Sequence, residues 1–456
     1  MNKINILALF VFIITSTLSA QYAFNGIRTS KRAGILGATI NPAELANMPQ
    51  KVDVHLFGMD VNIANNVVSL SSSGLSKLDS FEKNFLNKVS SEGLTARLNF
   101  DIMGPSGAFA INSRMTVGLI TRARLQAAVN NLDIATAKAL LSNETLNNFS
   151  LPYTTPNINS MSMNLVGWGE LGGLFSMKFY ETDKHSLSGG AGIKAIFPGG
   201  YANSFVTNFK LSIDTNAGGD VRISNGSGSL GIEYSGSNDP MESIFSNMTG
   251  APRGIGFDIG ASYQYKDKET GEYILKIGAS IVDIGSMSFQ MNAKNSKSYI
   301  INPIANFDPK TIRGSNLDEI IKNIRSTGIA TEVPLDSTQT ISLPTALNIT
   351  ADWNIWKPFY LTVHLQRSLT NKDNPRSLQA ANFIGFTPRI SYKLIEAYLP
   401  ISISGLQGFN MGMGIKLGPM YFGTSSLISA LISENNKAFD FHAGLRFGIG
   451  KRKKED

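Results

Sequence analysis

Four histidines, His55, His185, His364 and His442, are the side chains of this sequence best suited to proton transfer, and their placement argues against an active site. A hydrolase needs serine, histidine and an orienting carboxylate or amide within hydrogen-bond reach. No local serine motif marks such a nucleophile. Metal ions need clustered ligands, and these histidines are scattered along the chain without usable spacing. The absence of cysteine removes thiolate metal sites, cysteine nucleophiles and disulfides. The run Ser188-Gly189-Gly190-Ala191-Gly192 has the composition of a phosphate loop, but it lies inside a strand pattern with no helix behind it. No catalytic residue, cofactor or metal is expected.

What remains is a set of ionisable residues on the polar side of alternating segments: Arg97, Asp101, Asp258, Lys276, Asp352, His364, Arg389, Lys416, Asp440, His442 and Arg446. In 254–266, Ile255, Phe257, Ile259, Ala261, Tyr263 and Tyr265 oppose Gly254, Gly256, Asp258, Gly260, Ser262, Gln264 and Lys266. The same alternation fills 94–102, 359–366, 409–417 and 439–447. Strand geometry puts each set on one face of a sheet. Soluble strands average about 5–6 residues and membrane-crossing strands need about 9–11. Most runs here reach the longer figure, and the apolar face repeatedly ends in an aromatic: Tyr265, Tyr273, Trp353, Tyr392, Phe447. An outer apolar face with aromatic girdles and a charged, glycine-rich inner face is the pattern of a transmembrane barrel. Inside a barrel, unpaired charge is costly. The inward charges, of both signs, are therefore expected to knit a lumen network or hold a plug rather than to select an ion.

The runs fall at 52–63, 94–111, 115–125, 160–180, 187–197, 254–266, 273–283, 343–353, 359–368, 382–393, 397–404, 408–417, 420–428 and 438–449. The fold class is thus all-β, a transmembrane antiparallel β-barrel of about 14 strands. Connections alternate in length. Those at 112–114, 181–184, 266–271, 354–358, 393–396 and 418–419 are short, and most of the opposite parity are long. Short periplasmic turns and long outer loops produce that alternation. Within the loops, 75–89 and 128–149 carry apolar residues at helical spacing, and Leu317 to Ile324 is a third short helical candidate. The segment 201–236 alternates more weakly, as an outer hairpin or as two further membrane strands.

Composition agrees. Of 456 residues, 43 are Gly and only 16% are charged. The mean hydropathy of -0.02 excludes a polytopic helical membrane protein. The net charge of +7 is diffuse, too weak for a nucleic-acid footprint. Residues 1–20 run from Lys3 through an apolar core to Ala20, the order of a secretory signal peptide. Residues 21–51 then form a periplasmic or plug segment, 52–449 the barrel, and 450–456 a basic tail, most simply a solvated terminus.

The plug segment contains Asn41-Pro42-Ala43 shortly before the first strand. That tripeptide, its position and the strand count resemble the long-chain fatty-acid outer-membrane transporter family (FadL type). Gly254-Ile-Gly-Phe-Asp258 and Ile281-Val-Asp-Ile-Gly285 also look like a Bacteroidota outer-membrane barrel group of unassigned function. The first resemblance implies a bacterial outer-membrane location, passive uptake of small hydrophobic molecules such as long-chain fatty acids, and Asn41, Pro42 and Ala43 as hatch residues. An Asn-Pro turn that feeds the first strand and caps a short helix is the other reading of the tripeptide. The second resemblance implies a structural or secretion-associated barrel, similar to type IX system components, binding a protein partner through 198–253 and 284–342. Lipid surrounds the barrel on either reading.

Overall fold

The computed structural model describes residues 24–67, 69–70, 93–132, 151–154, 158–236, 247–294, 296–304, 306–312 and 317–452. The expected signal peptide, the helical stripe at 75–89 and residues 453–456 lie outside them.

Fourteen antiparallel strands close into a ring. In chain order they are Gln50–Asn65, Leu94–Met103 continuing as Ser106–Ala110, Met115–Leu132, Ile158–Glu181 and His185–Thr215. Gly254–Lys266, Tyr273–Gln290, Thr338–Ser342 with Ala346–Trp356, Phe359–Ser368 and Phe383–Tyr392 follow. The ring finishes with Ile395–Tyr398 and Ile401–Ser404, Gly408–Met411 and Met413–Leu417, Met420–Thr424 and Ala438–Lys451. The last strand pairs with the first from Gln50↔Lys451 to Ala64↔Ala438, so no edge is left in the ring.

The exposure pattern is inverted relative to a soluble protein. Leu119, Phe175, Ile193, Phe257, Ile259, Phe422 and Phe441 point outward and are exposed, whereas Asp53, Asp101, Lys194, Arg389 and Arg446 are buried in the lumen. Trp353, Trp356 and Tyr392 add exposed aromatics toward the end with the short turns. This is the outward apolar band and polar interior of a membrane barrel.

Three expectations are corrected. Tyr273 does not join the outer girdle. A register shift between Tyr273 and Leu275 turns its ring inward, where its hydroxyl donates to Asp352 at 2.5 Å. Residues 128–132 are not helical but finish the third strand, paired with Leu94–Arg97; 133–149 lie outside the described residues. The C-terminal tail is not simply solvated, because Arg452 donates to Ala46 O at 2.6 Å and to Asn112 O at 3.1 Å.

The segment 201–236 is a hairpin beyond the ring. The fourth and fifth strands, 24 and 31 residues long, continue past the barrel. The far half of the fifth pairs with Val221–Ser235, which pairs with Lys297–Ile304, which pairs with Ala330–Val333. Leu317–Ser326 is the helix expected there.

Candidate functional site: the plugged lumen

Residues 24–49 fill the turn end of the lumen. Two short helices, Ile35–Ala38 and a 3-10 turn at Pro42–Asn47, give the segment its shape. Asn41 caps the second: its Oδ1 accepts from Ala43 N at 3.0 Å, and Pro42 occupies the first helical position, where its fixed φ and missing N–H cost nothing. Phe24, Ile27, Ile35, Leu36 and Leu45 form an apolar heart with Met103, Leu174, Tyr398 and Tyr421 of the wall. Asn41-Pro42-Ala43 thus forms the capped turn of the second reading, and that turn stands inside the barrel.

The wall is cut to receive that turn. Asn41 Nδ2 donates across to Ala261 O at 2.9 Å. A Cβ on Gly260 would stand 2.1 Å from Asn41 Oδ1, and one on Gly190 would stand 2.5 Å from the Pro42–Ala43 backbone. Gly190 and Gly260 face each other on neighbouring strands, so together they form one recess. Ser176 bridges the turn, accepting from Ala46 N at 3.0 Å and donating to Ala43 O at 3.1 Å. Ser280 donates to Ile40 O at 2.6 Å, and Glu44 forms an ion pair with Lys276 at 2.6 Å.

The other end of the plug meets charged wall residues. Arg446 pairs with Asp53 across the closing seam and also donates to Arg32 O, while Asp53 accepts from Ile35 N at 3.0 Å. Asp60 accepts from Phe24 N at 2.7 Å, and Lys31 donates to Tyr360 at 2.5 Å. Asp352 and Arg389 pair at 2.5 Å, with Thr362 bonded to both, and Arg389 reaches Thr29 O at 3.5 Å.

The remaining sequence candidates do separate jobs. Asp440, His442 and Arg446 share a strand face but not a site. Asp440 accepts from Ser425 N and Ser426 Oγ, both at 2.6 Å, and His442 bonds Tyr398 at 2.8 Å. His364 bonds Asn348 at 3.0 Å, Arg97 donates to Asn130 at 3.0 Å, and Lys416 donates to Gly418 O. Among the described residues, the ring partners of the four histidines are tyrosine, amide or carbonyl groups.

Asp258 and Asp101 belong to a charge cluster that sequence reading largely missed. Lys194 bridges Asp258 at 2.8 Å and Asp283, Arg124 bridges Asp283 at 2.8 Å and Glu170 at 3.0 Å, and Arg122 holds Asp101. Trp168 donates to Glu170 at 2.7 Å and stacks under the Arg124 guanidinium. Arg122, Arg124 and Lys194 were readable as polar positions of their strands. Asp283 was not, because a bulge between Ile281 and Ile284 re-aims it and holds its φ at 58°.

The loop end is closed by a different device. Residues 369–382 fold inward, and Leu378 packs with Trp168, Met287, Phe289, Ile341 and Leu343. Gln126 and Gln366 donate to Gln379 O and Ala381 O, and Arg376 pairs with Glu233 at the rim. Beside this cap, Met291, Val333, Pro334 and Leu335 line an outer pocket of about 380 Å³.

Solved barrels resemble this chain at low identity. The TodX deltaS2S3 mutant monoaromatic hydrocarbon channel aligns over 96% of each chain at 10% identity with a TM-score of 0.40. The Pseudomonas putida toluene transporter TodX covers 94% of this chain and 93% of its own at 11% identity and 0.34. A Pseudomonas aeruginosa FadL homologue covers 95% and 100% at 10% identity and 0.29. Likeness of this degree carries no information about substrate, and the fold stands on the strand pairing described above. No curated protein matches the chain. Residues 42–425, from the plug's Pro42 through thirteen of the strands, match DUF5723, and the chain belongs to that family of unknown function.

Proposed function

We propose that this barrel sits in a bacterial outer membrane and admits small hydrophobic molecules, long-chain fatty acids among them, with residues 24–49 as the gate. The observation that carries the reading is a plug fitted to a recess in the wall. A molecule captured at the outer pocket around Met291 and Leu335 passes the cap, and the plug then yields toward the periplasm. Asn41, Ser176 and Ser280 hold this side of the plug by neutral hydrogen bonds, each of which water can replace at a net cost of about 1 kcal/mol, beside the Glu44–Lys276 ion pair. Residues 1–20 serve as the signal peptide that delivers the chain.

Uptake of a labelled long-chain fatty acid by cells carrying Asn41→Ala or Pro42→Ala tests the gate. Uptake should change while the amount of heat-modifiable barrel in the membrane does not. Normal uptake through a well-folded variant would remove these residues from the gating role.

A second reading, a barrel that binds a protein partner, has one observation in its favour. The outer sheet ends at Ala330–Val333, whose far edge pairs with no strand among the described residues. Such an edge accepts an added strand. Excision of 297–333 should abolish partner capture if that reading holds and leave uptake measurable if it does not.

A further inference from the structure

The thirteenth strand, Met420–Thr424, has five residues and so extends only about 17 Å, at roughly 3.4 Å per residue. The apolar band of an outer-membrane barrel is about 25 Å tall, and strand tilt shortens the reach further. The neighbouring strands go on without it. Among the described residues, Gly408–Met411 of the twelfth strand pairs only with Ile401–Ser404, and 438–441 of the last strand pair only with the first. Between those two edges the chain forms the helix Leu427–Ile432, which packs on both strands.

An open ladder facing hydrocarbon would leave backbone groups without partners. Side chains of the helical segment supply them here. Met411 N donates to Ser429 Oγ at 2.8 Å on one side, and Asp440 N donates to Ser426 Oγ at 3.2 Å on the other. Ser426 N and Leu427 N donate to Thr424 Oγ1, both at 3.2 Å, and Ala430 N and Ser433 N donate to Ser426 O and Ser429 O. Ser425, Ser426 and Ser429 are buried against the wall. What the helix turns away from the wall is apolar: Leu427 is 40% exposed, Leu431 65% and Ile432 71%. Phe409 and Phe439, on the two flanking strands, are exposed beside it. Together these side chains extend the outward band of Phe422 and Phe441 toward the loop end.

We infer that the helix Leu427–Ile432 is an interaction surface for lipid acyl chains, immersed in the loop-end half of the bilayer, where it completes the crossing that the thirteenth strand leaves short. Continuity with the lipid-facing band decides the occupant, and a helix that satisfies its own backbone can face hydrocarbon where a bare strand edge cannot. The inference stands on the membrane barrel and not on the uptake reading, so either can fail alone.

The chain has no cysteine, so a nitroxide on one introduced cysteine reports from one place. Full-length Ile432→Cys and, separately, Leu431→Cys are spin-labelled and reconstituted in phosphatidylcholine vesicles. Phe441→Cys, on the outward band, and Asn435→Cys, at an exposed position of the same loop, are the references. Power saturation compares collision with oxygen, which concentrates in hydrocarbon, and with a water-soluble nickel chelate. Both helix labels should share the oxygen-to-nickel ratio at Phe441, about tenfold above that at Asn435, because the bilayer core excludes water. A ratio nearer that of Asn435 at either position overturns the inference, since the helix then stands in water. Labels reached by neither reagent also overturn it, and put protein, such as a second copy of the chain, over the helix.

Discussion

The lumen is stopped twice, once by a separate segment and once by the wall's own connection. At the turn end a separate segment, 24–49, packs Phe24, Ile27, Ile35, Leu36 and Leu45 against Met103, Leu174, Tyr398 and Tyr421 of the wall. On its Asn41 side it meets the wall through Ser176, Ser280, Lys276 and the glycine recess. At the loop end the stopper is the wall's own connection, 369–382, driven inward by Leu378 against Trp168, Met287 and Phe289. Apolar packing is non-directional and loses its value in water, whereas a hydrogen-bonded face exchanges partners with water at little net cost. The polar side of the lower stopper is therefore the side suited to release first, and the upper stopper is suited to deform around what it admits.

The sharpest way to break this contrast is to fill the recess. Gly260→Leu places side-chain atoms where Asn41 stands, so the plug should be excluded while the ring still closes. Planar-bilayer recordings should pass from near silence to steady ionic current when the loop-end stopper is opened as well, in a Gly260→Leu/Phe289→Ala double variant, and a silent double variant would show that the plug has another hold. Next in size is Arg446→Leu, which leaves Asp53 buried without its partner. Loss of one member of a buried pair costs about 3–5 kcal/mol, to be read as a lower urea midpoint for the heat-modifiable form. Phe289→Ala strikes the upper stopper by cavity formation, at about 3–5 kcal/mol locally. It should speed proteolysis of 369–382 and leave conductance silent, because the plug below is untouched. The smallest change is Lys276→Gln, which removes the ion pair to Glu44 but leaves that carboxylate its hydrogen bond from Ser262, and should raise the frequency of brief openings with a smaller fall in the urea midpoint than Arg446→Leu.

The ring itself was legible in the sequence because its information is local. Period-two runs such as Gly254–Lys266 declare both faces without reference to any other segment, and the alternation of short and long connections fixes direction. The plug was legible as a segment but not as a shape. Its Asn41 finds Ala261 at a separation of 220 residues, and no neighbouring residue encodes that meeting. Tyr273 and Asp283 were misread or missed for one reason. A bulge changes strand parity, and counting by twos cannot see an inserted residue. The inward course of 369–382 escaped notice because the length of a loop does not say whether it folds over the lumen or away from it.

The seam between the first and last strands sets a sequence of events for assembly. Asp53, near the start of the barrel, holds Arg446 at a separation of 393 residues, and the same carboxylate receives the plug's Ile35 N–H. Arg452, following the final strand, fastens Ala46 from below. Part of the plug's anchorage is thus shared between the two ends of the barrel chain, beside the holds at Ser176, Ala261 and Ser280, and this part does not exist until both ends are in place. A segment that precedes every strand is fastened fully only at the end, so the plug of an unfinished ring lacks its seam contacts until the final strand arrives.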